Sequence, residues 1–200
     1  MTHRLITWQQ TAAQPWRNGG GLTRELLAWP AGDGWRLRIS VADITADGAF
    51  SVFAGVRRWL VVLQGAGIEL SIDGAVHPLP LGAAPLGFAG DATTLCRLLD
   101  GPTRDINLML RGLAGRLQTA LPGRAWRPQP SAAALAGLFS AVAGVCWADD
   151  LAIAVPASAL LWFDTAPQTL RFEPAGPLAG TAQSPHPTGW WISALPGATA

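Results

Sequence analysis

The chain contains no lysine and no tyrosine; its 14 basic residues are all arginine, beside ten tryptophans. The lysine gap reads as compositional bias rather than mechanism. Basic and acidic residues nearly cancel, leaving a net charge of +1 and no dense basic run. The electrostatic footprint of a nucleic-acid or anionic-membrane binder is therefore missing, and small molecules and proteins remain as partners. Cys96 and Cys146 stand far apart, without a C-x-x-C spacing or a histidine cluster nearby. That excludes a recognisable zinc or redox motif and leaves buried structural thiols. His3, His77 and His186 are isolated, the last two each followed by proline in a turn-like setting, and all three read as surface residues. The uncharged run over 132–145 is shorter than the roughly 20 residues of a spanning helix. At the start, Met1-Thr2-His3-Arg4 leads directly into Leu5-Ile6-Thr7-Trp8 without the long apolar core of a secretory signal, so a cytoplasmic protein is expected.

What is present suits an all-β protein. Half of the 200 residues are hydrophobic, enough for a proper core, while 16 prolines and 23 glycines are scattered along the chain without a period. Such punctuation fits many short strands joined by tight turns and fits a helical bundle badly. Alternation over Trp35–Val41 puts Arg36, Arg38 and Ser40 on one strand face. A short apolar run, Trp59–Leu63, precedes an alternating segment, Ile68–Ile72, that ends in the hairpin signal Asp73-Gly74. Asp105–Arg111 alternates again, with Asp105, Asn107, Met109 and Arg111 on one side and aliphatic residues on the other.

The proline- and arginine-rich stretch Pro122–Pro130 reads as a connection. It divides a larger N-terminal part, 1–125, from a smaller C-terminal part, 126–200, in which strands shared with the first are allowed. Leu86, Phe88 and Leu95 recur 75 positions later as Leu161, Phe163 and Leu170 in matching contexts, which suggests a duplicated β-unit. Over 132–145, alanine and leucine favour a helix, whereas a repeat demands a strand equivalent to Leu60–Gly65. A strand near Leu138–Val142 after a short helical turn is the preferred reading.

The most informative segment is Trp16-Arg17-Asn18-Gly19-Gly20-Gly21-Leu22-Thr23-Arg24-Glu25. Two guanidiniums, an amide, a hydroxyl and a carboxylate surround three consecutive glycines, whose freedom suits unusual dihedrals or the close approach of a ligand or another segment. A plain glycine-rich connection into a strand is the competing reading. It is not a phosphate loop, because the following Lys and Ser/Thr are lacking. No G-x-S-x-G elbow occurs, and no histidine is placed to activate either cysteine. Glu25, Asp43, Asp73 and Asp105 are scattered rather than gathered in one loop as a hard cation prefers. Neither a metal nor another cofactor is expected.

The motif W-R-N-G-G-G-x-T-R-E resembles the signature of the HutD/Ves family. Further landmarks follow in order: Trp35-Arg36 with Ser40; Gly48-x-Phe50-Ser51-x-Phe53-x-Gly55-x-x-Arg58; Leu63-x-Gly65; Asp105-x-Asn107-x-Met109-x-Arg111; and Trp162-Phe163-Asp164. The resemblance implies a cupin-type (jelly-roll) double barrel, or bicupin, of mostly antiparallel strands, with a degenerate second barrel. It also implies an accessory or regulatory part in bacterial histidine utilisation. The His-x-His pair and later glutamate and histidine of most metal-using cupins are absent from this chain.

What remains is a pocket rich in guanidinium, whose planar fork matches a carboxylate. Arg17, Asn18, Gly19, Gly20, Thr23 and Glu25 form its signature wall, with Arg36, Arg38 and Arg58 as further candidates. Asn107 and Arg111 are expected to complete it from the opposite side. Glu25 either meets ligand or braces an arginine; Arg36 and Arg38 either meet ligand or lie on a solvated face. Trp16, Trp35 and Phe53 read as core or pocket walls. The leading reading is a metal-free binder of a small anionic metabolite, such as N-formylglutamate or urocanate. One alternative is an enzyme with Glu25 or Asp105 as general base. Another is a protein-interaction module, compatible with a homodimer paired through strand edges.

Overall fold

Strand β1 (His3–Thr7) is followed by a 3-10 turn and then by ten strands of an N-terminal unit spanning Thr11–Leu113. These are β2 (Ala13–Pro15), β3 (Gly21–Trp29), β4 (Leu37–Ile44), β5 (Gly48–Ala49), β6 (Val56–Gln64), β7 (Gly67–Ile72), β8 (Ala75–Pro80), β9 (Leu86–Ala89), β10 (Thr94–Leu98) and β11 (Thr103–Arg111). The C-terminal unit adds β12 (Leu113–Thr119), β13 (Leu135–Ser140), β14 (Gly144–Ala148), β15 (Leu151–Val155), β16 (Ala159–Phe163), β17 (Leu170–Pro174) and β18 (Gly189–Pro196). The structure is a computed structural model that describes residues 2–131, 133–176 and 187–196. Among these residues there is no α-helix, and strands pair antiparallel, as β1 with β16, β11 with β4, β13 with β18 and β3 with β4.

The N-terminal unit pairs a six-stranded sheet, β2-β3-β4-β11-β6-β9, with a four-stranded sheet, β5-β10-β7-β8. Its inner core is built from Ile44, Leu60, Val62, Ile68, Leu70, Leu79, Phe88 and Cys96. Asp73 (φ 47°) and Gly74 (φ 86°) close the β7–β8 hairpin in the left-handed region that a primed two-residue turn requires. β4 starts at Leu37, two residues later than the alternation suggests. Before it, Arg36 gives its backbone N–H to Trp29 O at 2.8 Å and a guanidinium N–H to Gly112 O at 2.7 Å. His77 lies within β8 rather than in a turn, and His186 falls outside the described residues.

The C-terminal unit has a five-stranded sheet, β1-β16-β13-β18-β12, and a three-stranded sheet, β15-β14-β17. The boundary expected near residue 125 falls instead at 113/114, and residues 1–10 belong to the C-terminal unit. The cause is register: β1 pairs with β16 from His3↔Phe163 to Thr7↔Ala159, and Arg4 bonds Asp164 at 2.7 Å. The proline-rich 122–130 stretch is not a free linker. Trp126 exchanges backbone hydrogen bonds with Leu170 and stacks on Trp191, ring centroids 5.2 Å apart.

Sheet order exposes the duplication. β4-β11-β6-β9 corresponds to β12-β18-β13-β16, and β10-β7-β8 to β17-β14-β15. Leu86 and Phe88 on β9 thus match Leu161 and Phe163 on β16, and Leu95 on β10 matches Leu170 on β17. The segment that alanine content marked as helical is the strand β13, buried throughout, because a central strand of a two-faced sheet admits any apolar residue regardless of helix propensity. Both units also cross a tryptophan over a glycine, from opposite sides. Trp59 on β6 lies over Gly87 on β9, and Trp162 on β16 lies over Gly137 on β13, where an added Cβ would meet the ring at 3.0 and 2.7 Å respectively.

Trp191 fills the interior of the C-terminal unit among Leu138, Leu161, Phe163 and Phe172. Replacing it with alanine is expected to cost about 3–5 kcal/mol, as for other buried aromatic truncations. Denaturant unfolding of Trp191→Ala checks this; a loss under 1 kcal/mol would show that the interior collapses around the gap.

Candidate functional site

Alternation along four neighbouring strands, β3, β4, β11 and β6, lays polar side chains in rows on the inner face of the six-stranded sheet. Register aligns Thr23, Ala42, Asp105 and Val62 in one row, and Glu25, Ser40, Asn107 and Leu60 in the next. A third row runs Arg38, Met109, Arg58, Phe88. A bulge between Glu25 and Leu27 lets Glu25 keep the inner face while Leu27 turns to the opposite, buried one. The rows open on a cavity of about 480 Å³, closed further by Trp16, Arg17, Asn18, Phe50, Ser51 and Phe53.

The glycine triplet shapes the mouth rather than lining it. Gly19 (φ 72°) turns the chain, with its N–H on Trp16 O at 3.0 Å and the Trp16 N–H on Gly21 O at 2.9 Å. Gly20 gives its N–H to Asn18 Oδ1 at 3.1 Å, while its carbonyl accepts from Thr45 and Ala46. At Gly21 a Cβ would stand 2.4 Å from Asp43 O and 3.2 Å from the Trp16 ring. Only glycine permits that approach. Trp16 Nε1 then donates to Thr23 Oγ1 at 2.7 Å, and Asn18 Nδ2 reaches Ala49 O at 3.5 Å.

Arg58 is the electrostatic centre. It is 4% exposed, and its guanidinium carbon lies 5.1, 5.7 and 5.0 Å from the ring centroids of Phe50, Phe53 and Phe88. One N–H reaches Ser51 O at 3.4 Å, while Nε has no partner. Burial pulls its pKa down to about 10, against the opposing pull of Asp105, so it stays charged at neutral pH. Asp105, 2% exposed, is pushed up to about 7 by burial, despite Arg58 and a backbone hydrogen bond from Ala42. Its Oδ1 and the Oδ1 of Asn107 also lack partners. Three orphaned polar atoms thus lie among the buried residues that line one cavity, an arrangement that folded proteins rarely leave unmet. Burial also drives the Cys96 and Cys146 thiols up to about 12, so both stay protonated.

The structure brings Arg17, Asn18, Thr23, Arg58 and Asn107 to the cavity, with Arg17 exposed at the rim. Glu25 stands behind Arg38, whose Nε it accepts at 2.6 Å. Arg36 and Arg111 are not on the lining: Arg36 is tied to Gly112, and Arg111 lies 4.7 Å from the Trp35 ring centroid. Both sit where β4 begins and β11 ends, beyond the rows that face the cavity, and Trp35 accompanies them there. Sequence reasoning passed over Ser40, Ala42 and Met109 as lining residues and over the Phe50 and Phe53 contacts to Arg58. Extending the alternation of β4 and β11 across their pairing finds the first three; the aromatic contacts arise from a loop and leave no periodic signal. Among the described residues no three His, Cys, Asp or Glu side chains converge on a metal-sized site, and no helix is long and apolar enough to cross a membrane.

The duplicated unit lacks the polar set. Superimposing its strand register places Ala136 at the position of Arg58, Trp191 at Asn107 and Gly189 at Asp105. Trp191 and its stacked partner Trp126 occupy that interior.

The chain is similar to an uncharacterized 21.2 kDa protein in the hutC 3′ region of Pseudomonas putida, 40% identical over 53% of this chain and 57% of the relative. It is also similar to protein Ves of Citrobacter koseri, 37% identical over 48% of this chain and 51% of the relative. The matched segments thus span little more than half of each relative's length. A solved structure of HutD from Pseudomonas fluorescens SBW25, described as a formate condition, superimposes with a TM-score of 0.76 at 27% identity, covering 97% of this chain and 98% of the other. A family model described as HutD matches residues 8–177, and the chain therefore belongs to the HutD family.

Proposed function

We propose that the chain is a metal-free binder of a small carboxylate that acts as an accessory or regulatory protein in bacterial histidine utilisation, with N-formylglutamate and urocanate as candidate ligands. The observation that carries this reading is the unpartnered Nε of buried Arg58 at a cavity of about 480 Å³. A guanidinium held against aromatic rings, with donors to spare, suits a bidentate carboxylate, and low local water strengthens the pairing. Exposed Arg17 adds positive charge at the rim, while Arg38 is paired with Glu25.

Calorimetry with N-formylglutamate and urocanate tests this directly. Arg58→Met is expected to weaken binding by roughly 30-fold or more, the effect of losing one partner of a desolvated charge pair. Arg58→Lys, which keeps charge but loses the fork, should fall between. Arg17→Ala is expected to change affinity only a few-fold, as for an exposed pair. Arg36→Ala and Arg111→Ala should leave it unchanged, with circular dichroism confirming the fold of each variant. Full affinity in Arg58→Met would remove the site from consideration.

Asp105 gives the enzyme reading its one specific support, since a buried carboxyl titrating near 7 is suited to general base chemistry. Its partners speak for binding instead, because no second acid or base stands beside it in its row. Mass spectrometry of N-formylglutamate and urocanate incubated with the protein is expected to show both unchanged, and a product would favour the enzyme.

A further inference from the structure

We propose that ligand binding in this cavity is coupled to the uptake of one proton from solvent by Asp105, whose carboxyl then donates a hydrogen bond to the ligand's anionic group beside Arg58. The inference rests on the carboxylate-binding reading above. Its basis is the charge and hydrogen-bond inventory of the cavity wall.

Asp105 lies in the row between Ala42 and Val62, two residues along the inner face from Asn107, which in turn is two from Met109, the partner of Arg58. The titratable and charged groups packed around it are few. β6 contributes Arg58, which favours the carboxylate form, and β4 contributes Asp43, which opposes it. Asp43 faces the other side of its sheet, held by Arg24 at 2.8 Å and Arg104 at 2.6 Å. Also on β4, Arg38 is already matched by Glu25 of β3 at 2.6 Å. β10 brings only Cys96, a protonated thiol. Asp47, before β5, accepts the Leu98 N–H at 2.8 Å.

Arg58 is therefore the one cation within this buried set that is not committed to another carboxylate. With Asp105 ionised, an incoming carboxylate makes two negative charges share one guanidinium in a desolvated space, where like charges cannot both persist. Protonation removes the conflict. It also turns Oδ1, an acceptor without a partner, into a donor aimed at a group rich in lone pairs. The proton adds to a carboxylate oxygen, no bond to carbon changes, and the cavity ends with Arg58 matched by a single anion. Asparagine at 105 reproduces the neutral donor without a titration.

The test is calorimetric titration of the intact protein with N-formyl-L-glutamate at pH 6 to 9, each point in phosphate and in Tris, whose ionisation heats differ. The ligand's own carboxylates are fully ionised throughout that range. Expected are uptake approaching one proton per ligand at the alkaline end and affinity falling about tenfold per pH unit there, as linkage requires. Binding to Asp105→Asn should show no proton exchange and no pH dependence. Buffer-independent heats with pH-independent affinity in the wild type, or an Asp105→Asn variant that keeps the wild-type pH slope, would overturn the coupling while leaving carboxylate binding intact. No heat at any pH would overturn the functional reading and the coupling with it.

A ligand-free measurement checks the proton separately. Because the folded state holds this proton more tightly than the unfolded chain, the Asp105 contribution favours folding at low pH and is lost as pH rises from about 4 to about 7. The melting temperature of wild type relative to Asp105→Asn should accordingly fall across pH 5 to 7. A constant difference would show that Asp105 is already ionised at pH 5 and would overturn the proposal.

Discussion

A guanidinium removed from water, with its charge only part-answered, organises the N-terminal unit. Arg58 reaches its place because β6 pairs with β11 on one side and β9 on the other, which sets it between Met109 and Phe88. Its cost of burial is offset by the ring faces around it, each such contact contributing about 0.5–2 kcal/mol depending on desolvation. The segment before β6, carrying Phe50, Ser51 and Phe53, is fixed by backbone hydrogen bonds from Phe50 to Thr94 and from Phe53 to Gly90. Asn18 reaches Ala49 just upstream of that segment, and the glycine turn holds Thr45 and Ala46 before β5. Cavity, cage and signature motif are therefore one construction around a single charge.

The fold was legible where periodicity or turn chemistry is local. Alternation in Ile68–Ile72 and Asp105–Arg111 marked β7 and β11, and Asp73-Gly74 marked the turn from β7 into β8. The spaced repeat Leu86, Phe88, Leu95 falls on strands that hold the same places in the two units' sheet orders, while β2, β3 and β5 have no counterpart. Less legible was anything set by distant pairing. Nothing local tells that β1 joins β16, so residues 1–10 and the unit boundary were misplaced. The cavity followed the same rule. The W-R-N-G-G-G signature places Trp16, Arg17 and Asn18 on the cavity, yet its glycines serve the turn, and Arg36 and Arg111 satisfy the alternation while lying off the lining.

Duplication gave the two units the same strand order and opposite interiors. In one, arginine, aspartate and asparagine leave room and unmet polar atoms; in the other, Ala136, Gly189 and Trp191 stand at the equivalent positions, and the space is filled. A buried polar set is tolerated only with partners or a ligand, whereas an apolar interior needs neither. The second unit is thus the one whose stability is free of occupancy.

The placement of β1 also orders events at the ribosome. Its partner β16 ends at Phe163, so β1 must wait, without that partner, until about 150 further residues have been made. Everything the N-terminal unit requires lies between residues 11 and 113 and is available long before. Since units generally fold as they emerge, at about 5–20 residues per second, the N-terminal unit has its full set of strands before β16 is made, and β1 finds its partner only afterwards.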